Sequence, residues 1–353
     1  MSRIRLGFVG VGNMGQCAHL KNYVSLPDCE VVAISELRPE LGAAVGRRYN
    51  IPKVFTSAQD MLKQEKLDGI VASQPFARHA AIVPELLELG IPVLIEKPIA
   101  SSIPSAHVIL DAARKPGAGK LYIGYHKRSD PATIRAKQQI AQWQTSGAAG
   151  KLKYVRINIP PGDWIAGGFT DLIKSDETYP WQKTDPMPAG WDEARSKQYL
   201  WFVNYYIHQI NLLRHLLGEG YKVTFADPSG VLLVAQSDSG VTGVIEMSTH
   251  QTTIDWQEEA FVAFEKAWIK LELTAPIAAF RCGKLTIFSD PGDGAEPTTS
   301  TPTLPWTHPM RQQAIHFVAA CRGEKTPLCE ASEALADLEA SEQYLTLFNQ
   351  RRE

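Results

Sequence analysis

Between residue 4 and about residue 125, short apolar runs alternate with stretches in which apolar residues recur every three or four positions. The runs are IRLGFVG, CEVVAISE, LDGIVASQ, IPVLIEKP and KLYIGYH. Near-continuous apolar runs belong to strands buried on both faces, and the intervening period of 3.6 belongs to crossover helices. Helices are predicted at 14–26, 39–49, 58–64, 79–89 and 105–115, and this first third reads as one doubly wound α/β domain. After residue 150 the rhythm changes. KLKYVRINI, VTFADPSGVLLVAQ, VTGVIEMSTHQT, EEAFVAFEKAWIKLEL and KLTIFS follow one another without helices between them. That is the pattern of a mostly antiparallel sheet joined by turns. Helical patterns fall at 195–217, 309–322 and after 330. The stretch 160–190, rich in Gly, Pro and Trp, predicts a long loop over the junction of the two parts.

Composition sharpens this picture in three places. A length of 353 residues suits two domains, and 36 basic against 38 acidic residues leave a formal charge of -2, which gives no reason to expect nucleic acid or membrane as a partner. The chain enters its first strand run within a few residues and holds no apolar stretch long enough to span a bilayer, so a cytoplasmic protein is expected. Cys17, Cys29, Cys282, Cys321 and Cys329 are odd in number and never spaced as C-x-x-C, and the nine histidines form no H-E-x-x-H, so neither a disulfide framework nor a metal is expected.

The candidate chemistry begins in FVGVGNMGQCAHL. Gly10, Gly12 and Gly15 have the G-x-G-x-x-G spacing, with Asn13 and Met14 between the second and third. Glycine supplies 26 of the 353 residues, so the spacing alone says little. Context carries more weight, because a strand precedes, a helix follows, and Glu36 closes the second strand run. In a dinucleotide site Gly10 permits the sharp turn, Gly12 lets backbone approach the pyrophosphate, and Gly15 lets helix and strand pack closely. Glu36 would accept hydrogen bonds from the adenosine ribose and repel a 2′-phosphate, which favours NAD. Arg38, two residues on, can meet such a phosphate and keeps NADP open. A second signal is IPVLIEKPIA, where Glu96 and Lys97 stand at the end of a buried strand, the end that faces the ligand crevice in open parallel sheets.

Together with SQPFARHA (Gln74, Pro75, His79) and GYHKRSDP, and with the closing HPMRQQAIHFVAACRGEKTPLCEASEALADLEASE, these motifs resemble the Gfo/Idh/MocA family of glucose-fructose oxidoreductase and inositol dehydrogenase. The resemblance implies a Rossmann domain over 1–125 and, over 126–353, a substrate-binding and oligomerisation α/β domain built on a large, mostly antiparallel open sheet. It also implies NAD(P)-dependent oxidation or reduction of a sugar or cyclitol by a homo-oligomer, paired through that sheet's open face. Lys97 would be the proton-transferring group, Arg128 would line the site entrance, and Gln74, Pro75, His79 and Glu96 would border the cofactor.

One departure stands in WFVNYYIHQINLLRHLLGEG. Many relatives carry an aspartate four residues before the site histidine, whereas this chain has Asn204 and His208. Spacing of i, i+4 puts both on one helix face, continued by Asn211 and His215. An uncharged polar stripe of this kind is expected to point into a cleft. Asparagine can orient an imidazole but cannot stabilise an imidazolium as a carboxylate does. Work would shift toward Lys97, with His126 and Tyr205 as neighbouring polar groups and Trp164 as a ring that can stack on a sugar. Three functions follow: an NAD-dependent dehydrogenase of a sugar, sugar derivative or inositol with Lys97 and His208 as catalytic groups; a glycoside-cleaving enzyme that oxidises transiently without net NADH; and a cofactor-binding regulator without catalysis.

Overall fold

Apolar runs and crossover helices settle into two sheets in the computed structural model, which describes residues 2–292 and 294–352. The first six strands are β1 (Ile4–Val9), β2 (Cys29–Ser35), β3 (Lys53–Phe55), β4 (Gly69–Ala72), β5 (Val93–Ile95) and β6 (Leu121–Ile123). The next eight are β7 (Leu152–Ile159), β8 (Tyr221–Ala226), β9 (Leu232–Ser237), β10 (Thr242–Met247), β11 (Glu258–Phe264), β12 (Ala267–Leu273), β13 (Lys284–Ser289) and β14 (Thr298–Ser300). A last short strand, β15, is Cys329–Glu330. The chain forms two compact units. One holds the residues up to Tyr125 with Gly167–Leu200 and Met310–Leu335, and the other holds His126–Ala166, Trp201–Pro309 and the residues from Ala336.

In the first unit the sheet order is β15-β6-β5-β4-β1-β2-β3, parallel throughout except for the β15 edge. This is the doubly wound Rossmann order, and it reverses at β1, so the carboxyl ends of β1 and β4 flank the crevice where such sheets take ligands. Its core includes Leu6, Phe8, Ile34, Val71 and Leu94, and it is completed by residues from far along the chain. Phe317, on the helix Pro309–Cys321, meets the rings of Tyr23 and Tyr122 edge-on.

The second unit holds an eight-stranded sheet in the order β14-β13-β12-β11-β7-β10-β9-β8. Every pairing is antiparallel except β7 with β10. Strict alternation along β11 and β12 sends Ala260, Val262, Ile269 and Leu271 to a buried face packed under the helices Pro131–Ser146 and Ile207–Leu217. The opposite face carries an ion-pair ladder through Arg156, Glu259, Lys270 and Glu272 beside the rings of Phe261, Trp268 and Phe288.

Two expected helices change shape. The one at 14–26 is a π-helical turn, Gly15–Leu20, running into Lys21–Tyr23. The one at 195–217 is two helices, Glu193–Tyr205 and Ile207–Leu217, broken at Tyr206, whose hydroxyl bonds Ser248. Between residues 160 and 192 lie only turns and irregular backbone. Among the described residues no helix is long and apolar enough to cross a membrane.

Candidate active site

The glycine turn grows directly out of β1. Gly10 has φ +88°, and a Cβ there would lie 2.4 Å from the Gln74 side chain and 2.8 Å from the Ser73 carbonyl. A Cβ on Gly15 would come within 2.5 Å of the Gly10 carbonyl, so the helical turn packs against the strand end through a bare α-carbon. Gly12 is different. A Cβ there would meet nothing nearer than Arg38 Nη2 at 3.6 Å, and Gly12, Asn13 and Met14 all retain exposure. Two glycines are thus required by the protein's own packing, while the middle one opens on a space that a Cβ would fill. That division fits a dinucleotide pyrophosphate over the turn.

Glu36 is 3% exposed at the end of β2, and its Oε2 accepts the Val11 amide at 3.1 Å. Its Oε1 takes Arg38 Nε at 2.8 Å. The carboxylate expected at the ribose is therefore tied to the glycine turn itself. Gln74 and Pro75 follow β4 on the other side of the crevice. His79 is 1% exposed, its two ring nitrogens 3.1 Å from the Ile99 carbonyl and 3.2 Å from that of Gln74. Burial lowers its pKa against the pull of those carbonyls, and the ring braces this wall.

Beyond β5 come Glu96 and Lys97, both half-buried, the Lys97–Pro98 bond being cis. A residue missed in the sequence joins them here. His19, on the π-helical turn and 3% exposed, places Nε2 2.5 Å from Glu96 Oε1, and Glu96 Oε2 accepts the Lys97 amide at 3.2 Å. Burial pushes the Glu96 carboxyl up, but the His19 hydrogen bond and charge, the Lys97 charge and the Lys97 amide together hold it below the ordinary value, and it stays an anion. The signal that could have found His19 was its position one turn after Gly15 on a helix required to be buried.

In the second unit the polar stripe of the sequence is divided. Asn204 is exposed and lies before the break at Tyr206, whereas His208 lies after it and is half-buried. The His208 ring meets that of His126, itself 1% exposed, edge-on with centroids 4.7 Å apart. Asn211 does not face a cleft. It is 1% exposed, accepts Arg128 Nε at 2.8 Å and donates to Asp337 Oδ2 at 2.6 Å, while Arg214 binds Asp337 Oδ1 at 2.8 Å. Arg128, expected at an entrance, is held in this buried ionic knot at 4% exposure. The cause is charge: a buried Asp337 needs cations and donors around it. His215 belongs to the same interior, its pKa held well down by burial and by the Arg128 and Lys137 charges. The Tyr205 phenol is pushed up to about 12 by burial and by its neighbour Tyr206. Trp164 keeps its ring 37% exposed on the connection after β7.

The family model of the GFO_IDH_MocA oxidoreductase family, NAD-binding Rossmann fold, matches residues 4–125. An inositol 2-dehydrogenase of Rubrobacter xylanophilus is 32% identical over 172 residues, 46% of this chain and 48% of that protein, so the chain matches about half its length. The rhizopine catabolism protein MocA of Rhizobium meliloti is 24% identical over 355 residues, covering 97% of this chain and 94% of its own. The crystal structure of an NAD binding oxidoreductase from Klebsiella pneumoniae, 16% identical, shares the fold with a TM-score of 0.72 over 99% of this chain and 98% of that one. With its glycine turn, the Glu36 carboxylate and the Glu-Lys-Pro strand end in place, residues 4–125 match the NAD-binding Rossmann domain of the Gfo/Idh/MocA oxidoreductase family.

Proposed function

We propose that the protein oxidises a secondary hydroxyl of a sugar, sugar derivative or inositol with NAD. The observation that carries this reading is Lys97, set at the carboxyl end of β5 beside a Glu96 anion that His19 holds in place. Gly10, Gly12, Asn13, Met14 and Gly15 would hold the pyrophosphate, Glu36 the adenosine ribose, and Gln74, Pro75 and His79 the wall beside the ring. The bound nicotinamide supplies the hydride acceptor. Lys97 takes the proton of the reacting hydroxyl, and its ammonium then hands that proton on. His208 binds the substrate or shares its proton, an imidazole being suited to both near neutral pH. His126, Tyr205 and Trp164 contribute to substrate binding, with Asn204 on the neighbouring helix. The names of the relatives, an inositol 2-dehydrogenase and a rhizopine catabolism protein, support a cyclitol or sugar as substrate. The sheet face that carries the half-buried rings of Phe261, Trp268 and Phe288 supports a homo-oligomer paired there.

Incubation with NAD and a panel of sugars, glycosides and inositols, followed by NADH absorbance and product mass, tests the reading. Net NADH with a product two hydrogens lighter is expected. Cleavage without net NADH would replace it with transient oxidation and elimination, and binding without turnover would make the protein a regulator. Lys97→Met is expected to cut turnover more than about tenfold, over ~1.4 kcal/mol of barrier, while NAD affinity stays within a few-fold. Retention of most of the activity would remove Lys97 from the reaction.

A further inference from the structure

The connection after β7 carries no helix or strand from 167 to 192, yet it is tied to the first unit along its course. Ile173 exchanges two hydrogen bonds with the Gln16 side chain at 3.0 and 3.1 Å. Gln182 accepts Arg78 Nη2 at 2.8 Å, and Asp185 accepts the Ala80 amide at 2.9 Å. Gln16 follows β1, and Arg78 and Ala80 follow β4. The strap therefore runs along the edge of the sheet at which the glycine turn opens.

Beside β2 the strap delivers Glu177. Its two oxygens accept the amides of Glu40 at 3.1 Å and Leu41 at 2.9 Å, in the first turn of the helix Pro39–Arg48, and Ser175 Oγ holds Oε2 at 3.0 Å. Desolvation pushes this carboxyl up, but those amides, Ser175 and the Arg38 charge outweigh it, and it stays ionised below the ordinary glutamate value. Arg38, meanwhile, is bound to Glu36 at 2.8 Å and lies over the Tyr179 ring, 5.3 Å from its centroid. Tyr179 is two residues beyond Glu177 on the same strap.

A 2′-phosphate on the adenosine ribose needs cations or amide donors next to the residue that binds the ribose. Here the Arg38 guanidinium is engaged by Glu36 and Tyr179, and the helix amides are engaged by Glu177. We infer that Glu177 is a second specificity-determining carboxylate, which acts with Glu36 to exclude NADP. The inference rests on the reading of Glu36 as the ribose partner. It also answers the ambiguity of Arg38: the strap turns that arginine from a phosphate ligand into a clamp.

Calorimetric titration of the full chain with NAD and with NADP at about 0.1 M salt tests this, because a phosphate contact is read as the ratio of the two affinities. Glu177→Ala is expected to shift that ratio at least about tenfold toward NADP. Glu177→Gln, which keeps an acceptor oxygen for the amides and removes the charge, is expected to shift it less, and it carries the test if the alanine variant does not fold. A ratio within twofold of wild type in both variants overturns the inference. Glu36→Ala, run in parallel, separates the two readings. If it alone moves the ratio, Glu177 is discarded and the ribose assignment stands; if none of the three moves it, both fall.

Discussion

The buried His19, 2.5 Å from the half-buried Glu96, adds to the electrostatics around Lys97 a partner that the IPVLIEKPIA motif does not contain. Loss of the His19 donor would leave a carboxylate without its main hydrogen bond, at a cost of about 1–3 kcal/mol. His19→Leu is therefore expected to lower Tm, to reduce kcat with little change in the KM for NAD, and to move the acid limb of the rate profile to higher pH as Glu96 rises toward its ordinary value. His19→Gln, which can still donate, should recover much of the profile. Equal profiles for the two variants would make His19 a packing residue only. The packing of Gly10 and Gly15 and the strand-end positions of Glu36 and Lys97 were legible because each is set within its own strand end, where local rules apply. His19 and Glu177 were not, because their partners lie 77 and 137 residues away.

Among the elements, the glycine turn separates structure from ligand most cleanly. Gly15→Ala forces a methyl to within 2.5 Å of the Gly10 carbonyl and is expected to destabilise the first unit by about 1–3 kcal/mol, read as a fall in Tm. Gly12→Ala meets only the Arg38 side chain at 3.6 Å and should leave Tm nearly unchanged while weakening NAD binding at least about tenfold. Equal effects of both on Tm would mean that the turn serves packing alone. The helix pair around Tyr206 shows where periodicity fails. Its sequence has no glycine or proline and reads as one helix, but Tyr206 is packed among Trp201, Phe202 and Tyr205 and bonded to Ser248. Tertiary packing overrides local propensity there, and a local irregularity with right-handed helical backbone falls between Asn204 and His208. The strap was equally hidden. Its irregular backbone has no period to read, and only its glycine, proline and tryptophan content marked it as a loop.

For the whole molecule, three buried or half-buried histidines contribute to the response to acid. His79, His215 and His316 are all held below their ordinary value by burial, His316 to about 4. Below pH 6.5 the unfolded chain takes up protons that the folded chain refuses, so each of them costs stability as pH falls toward its folded value. Asp130, pushed up to about 6 by burial, works in the opposite sense. The stability lost between pH 7 and pH 4.5 is expected to be smaller in His316→Gln than in wild type by about 2 kcal/mol, measured by urea unfolding at each pH. Identical losses would show that His316 is protonated in the folded state. The strand rhythm ends near residue 125 and changes after residue 150, whereas nothing periodic announces that Gly167–Leu200 and Met310–Leu335 return to the first unit.

That return has a consequence for biogenesis. Phe317, Val318 and Leu328 close the core that Leu6, Phe8 and Tyr122 open. A ribosome adding about 5–20 residues per second needs roughly 10–40 s after Tyr125 to reach them. Throughout that interval the first unit lacks its last apolar layer, so vectorial synthesis cannot complete its core before the second sheet has been made.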